Sequence, residues 1–308
     1  MTDLNYASLN NWLKYKHLVL IETLARTNNM HLAAEHMNLS QPAVSKMLKE
    51  IENLLGFAVF ERLPRNMPVT ALGEFVVLYA QRVLNDAKHF VEELEIMRLG
   101  GHGFLRIGGI FAATAIVIPN SIIKIKKKWP LLSIDVVEQT SDHLMEMLSE
   151  HTIDLAVGRF TNEMQSQYFD FRPLGPEPFC IVVNQSHPCA AMDYCELKDL
   201  LEWPWLLYPK GTPIRDRMEG AFSRANVKVP LNTVNTMSMQ TFLQMLKTSP
   251  MVAMLPEAMV QQQVKEGHLK IIKTELQLKA QDYGVLTRKG ESISDIAQTF
   301  IDILLAQV

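Results

Sequence analysis

From Gln41 to Leu55 the apolar residues Val44, Leu48, Ile51 and Leu55 fall four, three and four positions apart, the spacing of one stripe on an α-helix. Gln41, Pro42, Ser45, Lys46 and Lys49 collect well away from that stripe. The pattern predicts a shorter helix over residues 30–37 just before it. Ala33, Met37, Leu39, Val44 and Met47 stand where two crossing helices need apolar groups to lock together. Ala34 is small enough for close approach, and Asn38 occupies the turn, where left-handed backbone must be tolerated. Ser40 is placed to cap the second helix, and Pro42 in its first turn costs little because those N–H groups have no helical partner. The layout is a helix-turn-helix whose exposed face offers an amide, a hydroxyl and two cations. Such groups match base edges and phosphates in a DNA major groove. A solvated surface helix is the plain alternative.

On either side the same reading continues. Residues 10–27 form a helix with Trp12, Leu18, Ile21 and Leu24 on its apolar face. Two apolar pieces, Ala58-Val59-Phe60 and Met67-Pro68-Val69, flank Pro64-Arg65-Asn66 and predict a two-stranded wing. Arg65 at its tip is placed for a minor groove or a phosphate. Thr70 then caps a helix from Ala71 to about Leu99, about 40 Å long at 1.5 Å per residue. Leu72, Val76, Tyr79, Val83, Ala87, Phe90, Leu94 and Met97 make a heptad-like seam along it, with one stutter. Either a second copy or the chain's own C-terminal half must cover that seam. Gly100-Gly101-His102-Gly103 is the sharpest break in the chain and reads as a hinge.

Beyond the hinge, strands and helices alternate. Strands are expected at 104–107, 133–138, 155–157, 179–183, 232–236, 252–255 and 282–288. Helices are expected at 114–128, 141–150, 196–202, 214–226, 239–248 and 292–307. This order predicts parallel sheet, with ligands at the C-terminal ends of the strands. The lysines at 124, 126, 127 and 128 read as a solvated helix end, and Met237, Met239, Met245, Met251, Met254 and Met259 as core fillers.

The length of 308 residues suits two or three domains, and a composition 48% hydrophobic with net charge −3 is that of an ordinary soluble protein. Within residues 1–70 seven basic residues nearly balance six acids, so any nucleic-acid footprint is local. There is no basic-then-apolar leader and no apolar run of membrane-spanning length, so a cytoplasmic chain with no membrane partner is expected. Three cysteines without a CxxC pair argue against a disulfide scaffold or a zinc site, and no metal or cofactor is expected. Cys180, inside PFCIVV, reads as a buried strand residue. GxSxG, GxxxxGK[ST] and HExxH are absent, no GxGxxG follows a strand, and His31 and His36 do not share a ligand face. No catalytic residue is assigned. A two-lobed α/β enzyme, or a solute-binding module without regulatory DNA binding, is the rival reading.

The N-terminal stretch closely resembles the DNA-binding module of LysR-type transcriptional regulators. The resemblance runs through Ala33-Ala34, Leu39-Ser40-Gln41-Pro42-Ala43-Val44-Ser45, Ile51-Glu52, Leu55-Gly56, Phe60-Glu61-Arg62, Thr70 and Gly73-Glu74. The rest of the chain follows the family's order of elements more loosely. The resemblance implies an α + α/β chain with a winged helix-turn-helix over 1–70, a linker and dimerisation helix over 71–99, a hinge at 100–103 and a periplasmic-binding-protein-like effector domain over 104–308. Its lobe I would hold about 104–177 and 282–308, and lobe II about 178–281, joined by two crossovers. It implies a bacterial regulator that binds a double-stranded DNA operator, pairs through the linker helix as a homodimer or homotetramer, and acts on RNA polymerase. DNA contacts fall to Gln41, Pro42, Ser45, Lys46, Lys49, Arg62 and Arg65. A small effector, of the organic-anion kind, falls to Ala112, Thr114, Thr140, Thr212, Arg215 and Ser238, although hydroxyls at helix starts also serve as caps. The family's GxGIxxLP turn is altered here: Met254-Leu255-Pro256 is kept, but Thr248-Ser249-Pro250-Met251 replaces the glycines. Some members sense peroxide through a cysteine pair; burial argues against that for these thiols.

Overall fold

The computed structural model describes residues 9, 12–63, 66–276 and 278–307. Contacts divide them into two compact units, one holding the residues up to Phe104 with Met147–Ile153, the other holding the remainder.

The first unit is built on helices α1 (Tyr15–Thr27), α2 (Met30–His36), α3 (Gln41–Leu55) and α4 (Ala71–Arg98). Local chemistry sets each boundary. Asn28 ends α1 in left-handed backbone, and Asn29 opens α2 by accepting from the His31 and Leu32 N–H groups at 2.8 and 3.1 Å. Asn38 turns the chain at φ 53°, and Ser40 Oγ accepts from the Ala43 N–H at 3.4 Å. Leu20, Ile21, Leu24, Ala33, Val44, Leu48 and Ile51 are fully buried together. Met37, Met47 and Leu55 pack partly against them. Two residues expected on apolar faces, Trp12 on the first helix and Leu39 in the lock between the next two, do not join the core. Trp12 is 46% exposed and Leu39 39%, since Leu39 lies in the turn ahead of the Ser40 cap and the small alanines close the crossing without it.

Among its described residues the wing makes one β-bridge, Phe60 to Val69, rather than a ladder. Pro68 can only accept, and its carbonyl takes the Glu61 N–H at 2.9 Å. Arg65 and Pro64 lie outside the described residues. Along α4 one side packs inward through Gly73, Val77 and Ala80. The heptad seam stays largely bare: Leu72, Tyr79, Phe90, Leu94 and Met97 are each exposed. Gly100 closes the helix in left-handed backbone, with Gly100 N–H on the Met97 carbonyl and Gly101 N–H on Ile96, a Schellman end.

The second unit has two five-stranded sheets. The first runs β2 (Ser133–Glu138), β1 (Phe104–Gly109), β3 (Leu155–Gly158), β10 (Gln281–Arg288), β4 (Phe169–Glu177). β1 and β3 are parallel, and β10 runs antiparallel to β3 and β4. The second runs β7 (Thr233–Asn235), β6 (Trp205–Leu207), β8 (Val252–Pro256), β5 (Phe179–Asn184), β9 (Leu269–Ile272). Each sheet has its own core, one around Ile107, Val157 and Phe300 and the other around Trp205, Phe222 and Phe242. The chain passes between sheets twice, through Pro178 and between Ile272 and Gln281.

The helices are α5 (Ile118–Lys128), α6 (Ser141–Ser149), α7 (Leu197–Leu200), α8 (Pro213–Arg224), α9 (Met239–Thr248), α10 (Glu257–Lys265) and α11 (Asp295–Leu305). β4, β9 and α10 lie outside the sequence expectation. The helix expected at 114–128 is found, but it opens as a π-helical turn, Ala113–Val117, ahead of α5. No helix among the described residues is long and apolar enough to cross a membrane.

Candidate DNA-reading face and effector cavity

Helix α3 presents its polar side to solvent while its stripe is sealed. Val44, Leu48 and Ile51 are fully buried; Gln41, Pro42, Lys46 and Lys49 are exposed, and Ser45 is half-buried. The Lys46 ammonium stands 4.0 Å from Glu50 in the next turn and remains 80% exposed, so that pair holds it only weakly. Arg62 is engaged differently. Its guanidinium pairs with the Glu52 carboxylate at 3.1 Å, and the other Glu52 oxygen accepts from the Val59 and Phe60 N–H groups at 3.0 and 3.4 Å. Glu52 therefore fastens the first wing segment to α3, and Arg62 extends that anchor. From the other side Met67 N–H donates to the Asn28 side chain at 2.7 Å. Thr70 accepts from Gly73 N–H at 2.9 Å and donates to the Ala58 carbonyl at 2.8 Å, joining wing to α4.

A cavity of about 840 Å³ opens in the second unit, walled by both sheets. From the first sheet's side come Ala112, Glu138, Gln139, Thr140, Ser141, Arg159 and Glu177; from the other come Tyr208, Pro213, Asp216, Arg217 and Met259. Of the six residues expected to hold an effector, Ala112 and Thr140 line it. The structure places the other four elsewhere. Thr114 Oγ1 lies between two acceptors, 3.0 Å from the Phe111 carbonyl and 2.5 Å from the Glu138 carboxylate, and shares its one proton between them. Thr212 caps α8 and donates to the Pro209 carbonyl, and Ser238 caps α9. Arg215 is 3% exposed and bonded within its own lobe through Nε and Nη1. Its guanidinium donates to Glu219 at 2.7 Å, the Tyr208 carbonyl at 2.8 Å and Asn235 at 2.9 Å. Its place on the inner side of α8 turns it into the core, away from the cavity.

The cavity's cations are Arg159 and Arg217. Arg159 follows β3 directly, is 8% exposed, and binds the equally buried Glu177 through one terminal nitrogen. Its Nε is buried with no hydrogen-bond partner among the described residues. Arg217 gives one terminal nitrogen to the Lys279 carbonyl at 2.7 Å and lies 5.6 Å over the Phe179 ring. Its Nη1 is likewise buried and unpartnered among the described residues. Burial, followed by the nearby Arg159 charge, holds the Arg217 guanidinium below its ordinary value, while Glu177 works the other way. Burial raises the Tyr208 phenol, and the Glu177 and Glu138 carboxylates add to that shift. Arg159 carried one sequence signal: it ends a parallel strand, where such sheets place their ligands. Arg217 carried none, since Arg215, two residues earlier on the same helix, has the same chemistry.

Two family models match the chain. "Bacterial regulatory helix-turn-helix protein, lysR family" covers residues 15–74, and "LysR substrate binding domain" covers residues 99–308. The HTH-type transcriptional regulator GbpR of Azospirillum brasilense is 28% identical over 295 residues, spanning 96% of this chain and 86% of the relative. Among solved structures, full-length CbnR complexed with its target DNA is similar at a TM-score of 0.64 and 19% identity, covering 96% of this chain and 100% of that one. Full-length OxyR from Pseudomonas aeruginosa is similar at 0.60 and 22%, covering 95% and 94%. At these identities the two structures speak for the fold. With both halves matched, the chain belongs to the LysR family, DNA-binding transcriptional regulators that carry an effector-binding domain.

Proposed function

We propose that α3 reads operator DNA through Gln41, Pro42, Ser45, Lys46 and Lys49, with the wing seated on the backbone, and that an organic anion in the second unit's cavity regulates that binding. The observation that carries the reading is the division of α3: three side chains of its apolar stripe sealed in the core, four residues of its polar side open to solvent. Gln is suited to the N6 and N7 of adenine and Lys to guanine, while Ser serves bases or phosphates. Arg62 steadies the wing through Glu52 and reaches phosphate only by leaving it; Arg65, at the wing tip in sequence, is assigned to the minor groove or backbone. The effector reading is supported by two guanidiniums, Arg159 and Arg217, in the cavity wall, each with a buried nitrogen that lacks an acceptor among the described residues.

The protein acts as a homodimer or homotetramer through α4, works in the bacterial cytoplasm, and alters transcription through RNA polymerase. It catalyses no reaction; the effector leaves unchanged. The test is operator footprinting with the full chain, with and without a library of organic acids. Gln41→Ala is expected to lose about 1–3 kcal/mol of preference for the operator over scrambled DNA. An unaltered preference would sink the assignment of α3, and footprints indifferent to every acid would sink the effector reading.

A further inference from the structure

We infer that the cavity is built for a small sugar acid, a polyhydroxylated monocarboxylate; this rests on the effector reading above and narrows it. The argument begins with donors. Arg159, more than nine-tenths buried, keeps Nε unpartnered among the described residues, and Arg217 keeps Nη1 in the same condition. A buried N–H left without an acceptor is costly. Both guanidiniums also stand in the cavity wall, and a carboxylate offers two oxygens suited to guanidinium geometry, so an acid group on the ligand is the matching charge.

The acceptors limit how much negative charge the ligand can carry. Glu138, Glu177 and Asp216 line the same cavity, three carboxylates against two guanidiniums. A ligand bearing only charge, such as a plain dicarboxylate, gains from the arginines and is repelled by the acids. Those carboxylates need donors instead. Arg159 supplies one to Glu177, and Thr114 shares one between Glu138 and the Phe111 carbonyl. Each ionised carboxylate has about four acceptor sites; Glu138 and Asp216 are exposed to water, whose place on them a ligand's donors can take, and Glu177 is buried with sites beyond its Arg159 bond. Hydroxyl groups provide such donors, and they can also accept from the Gln139 and Gln281 amides in the same wall. Phe111, Phe160, Phe179 and Tyr208 add aromatic surface against which the C–H side of a polyol can lie. The volume of about 840 Å³ is ample for one hexose-sized acid and falls within the ordinary range for ligand pockets.

Isothermal titration of the full chain separates the parts, using six-carbon ligands. Gluconate and galactonate carry acid and hydroxyls, hexanoate and adipate carry acid alone, and glucose and galactose carry hydroxyls alone. At least one aldonate is expected to bind tenfold or more tighter than the other four. R217Q should weaken the aldonate at least tenfold while leaving residual sugar binding unaltered. E177Q should narrow the preference for aldonate over hexanoate. Hexanoate or adipate equal to the aldonates would overturn the hydroxyl requirement while leaving an anionic effector in place. An aldose equal to the aldonates would overturn the acid requirement. Silence from all six would overturn the inference outright, and the broader effector reading would then stand or fall on its own footprinting with the wider acid library.

Discussion

Gly73 sits inside a helix, where glycine is normally unfavourable by about 0.5–1 kcal/mol against alanine. Its reason is the wing: a Cβ there would stand 2.1 Å from the Val59 carbonyl oxygen and 2.9 Å from the Val69 side chain. Overpacking typically costs about 1–3 kcal/mol, more than the helix gains from alanine. Gly73→Ala should therefore lower Tm and displace the wing, weakening operator binding. A variant that melts at or above the parent would show that the wing backbone yields freely. The thiols are a second case. Burial, then Glu257, pushes Cys180 up to about 12, and burial with the 2.9 Å hydrogen bond to Cys189 takes Cys195 to about 12. Thiolate is the reactive form, so neither should be alkylated by iodoacetamide in the folded chain at pH 8. Between their ordinary value of 9.0 and about 12 the native state keeps protons that the unfolded chain releases. Stability should therefore fall as pH rises through that window, and a urea midpoint flat across it would refute the burial. Asn38 and Ser40 were readable from sequence because one residue's backbone and cap chemistry decides each. Arg159 showed only its place after β3, and Arg217 showed nothing, because their partners Glu177 and Lys279 are distant in the chain.

At the scale of elements, α4 has two faces with different duties. Gly73, Val77 and Ala80, spaced four and three apart, pack within the unit, while Leu72, Tyr79, Phe90, Leu94 and Met97 stay exposed. The heptad pattern pointed to the second face and was silent on the first, because small inward residues carry little hydrophobic signal. Phe90, 64% exposed, is the largest residue of the bare seam's outer half. If the chain pairs through α4 as proposed, Phe90→Asp should shift the homodimer or homotetramer to smaller species in light scattering and leave the fold of the first unit intact. Operator affinity should drop about a hundredfold or more, since two linked heads gain by effective concentration. A variant that keeps the parent's size would remove α4 from the interface. Elsewhere, α9 runs over Met239–Thr248 as the periodicity indicates, because four-three spacing over ten residues is unambiguous. β4 escaped notice because Pro173, Gly175 and Pro176 interrupt its alternation, although its partner β10 tolerates them with a register shift at Tyr283–Gly284. The π-helical turn at Ala113–Val117 has no pattern of its own that a helix would not share.

At the scale of the second unit as a whole, the cavity and the two passages between sheets are built from the same residues. Glu177, the partner of Arg159, is the last residue of β4, immediately before Pro178 and the first residue of β5. Lys279, whose carbonyl receives Arg217, lies in the return passage ahead of β10. A ligand that engages both guanidiniums thus pulls on both connections, and its affinity depends on how freely they move. Pro178 restrains the first passage: its own φ is fixed, Glu177 before it is confined to extended backbone, and its carbonyl accepts from the Glu257 N–H at 2.9 Å. Replacing it with glycine adds backbone freedom that binding must then remove, worth about 0.4–1 kcal/mol. Pro178→Gly should accordingly weaken the effector about two- to fivefold in titration, while operator affinity measured without effector stays at the parent value, since nothing in the first unit has changed. Equal effector affinity in parent and variant would mean that this passage stays still when the ligand binds, and the coupling would then have to run through the return passage at Lys279 alone.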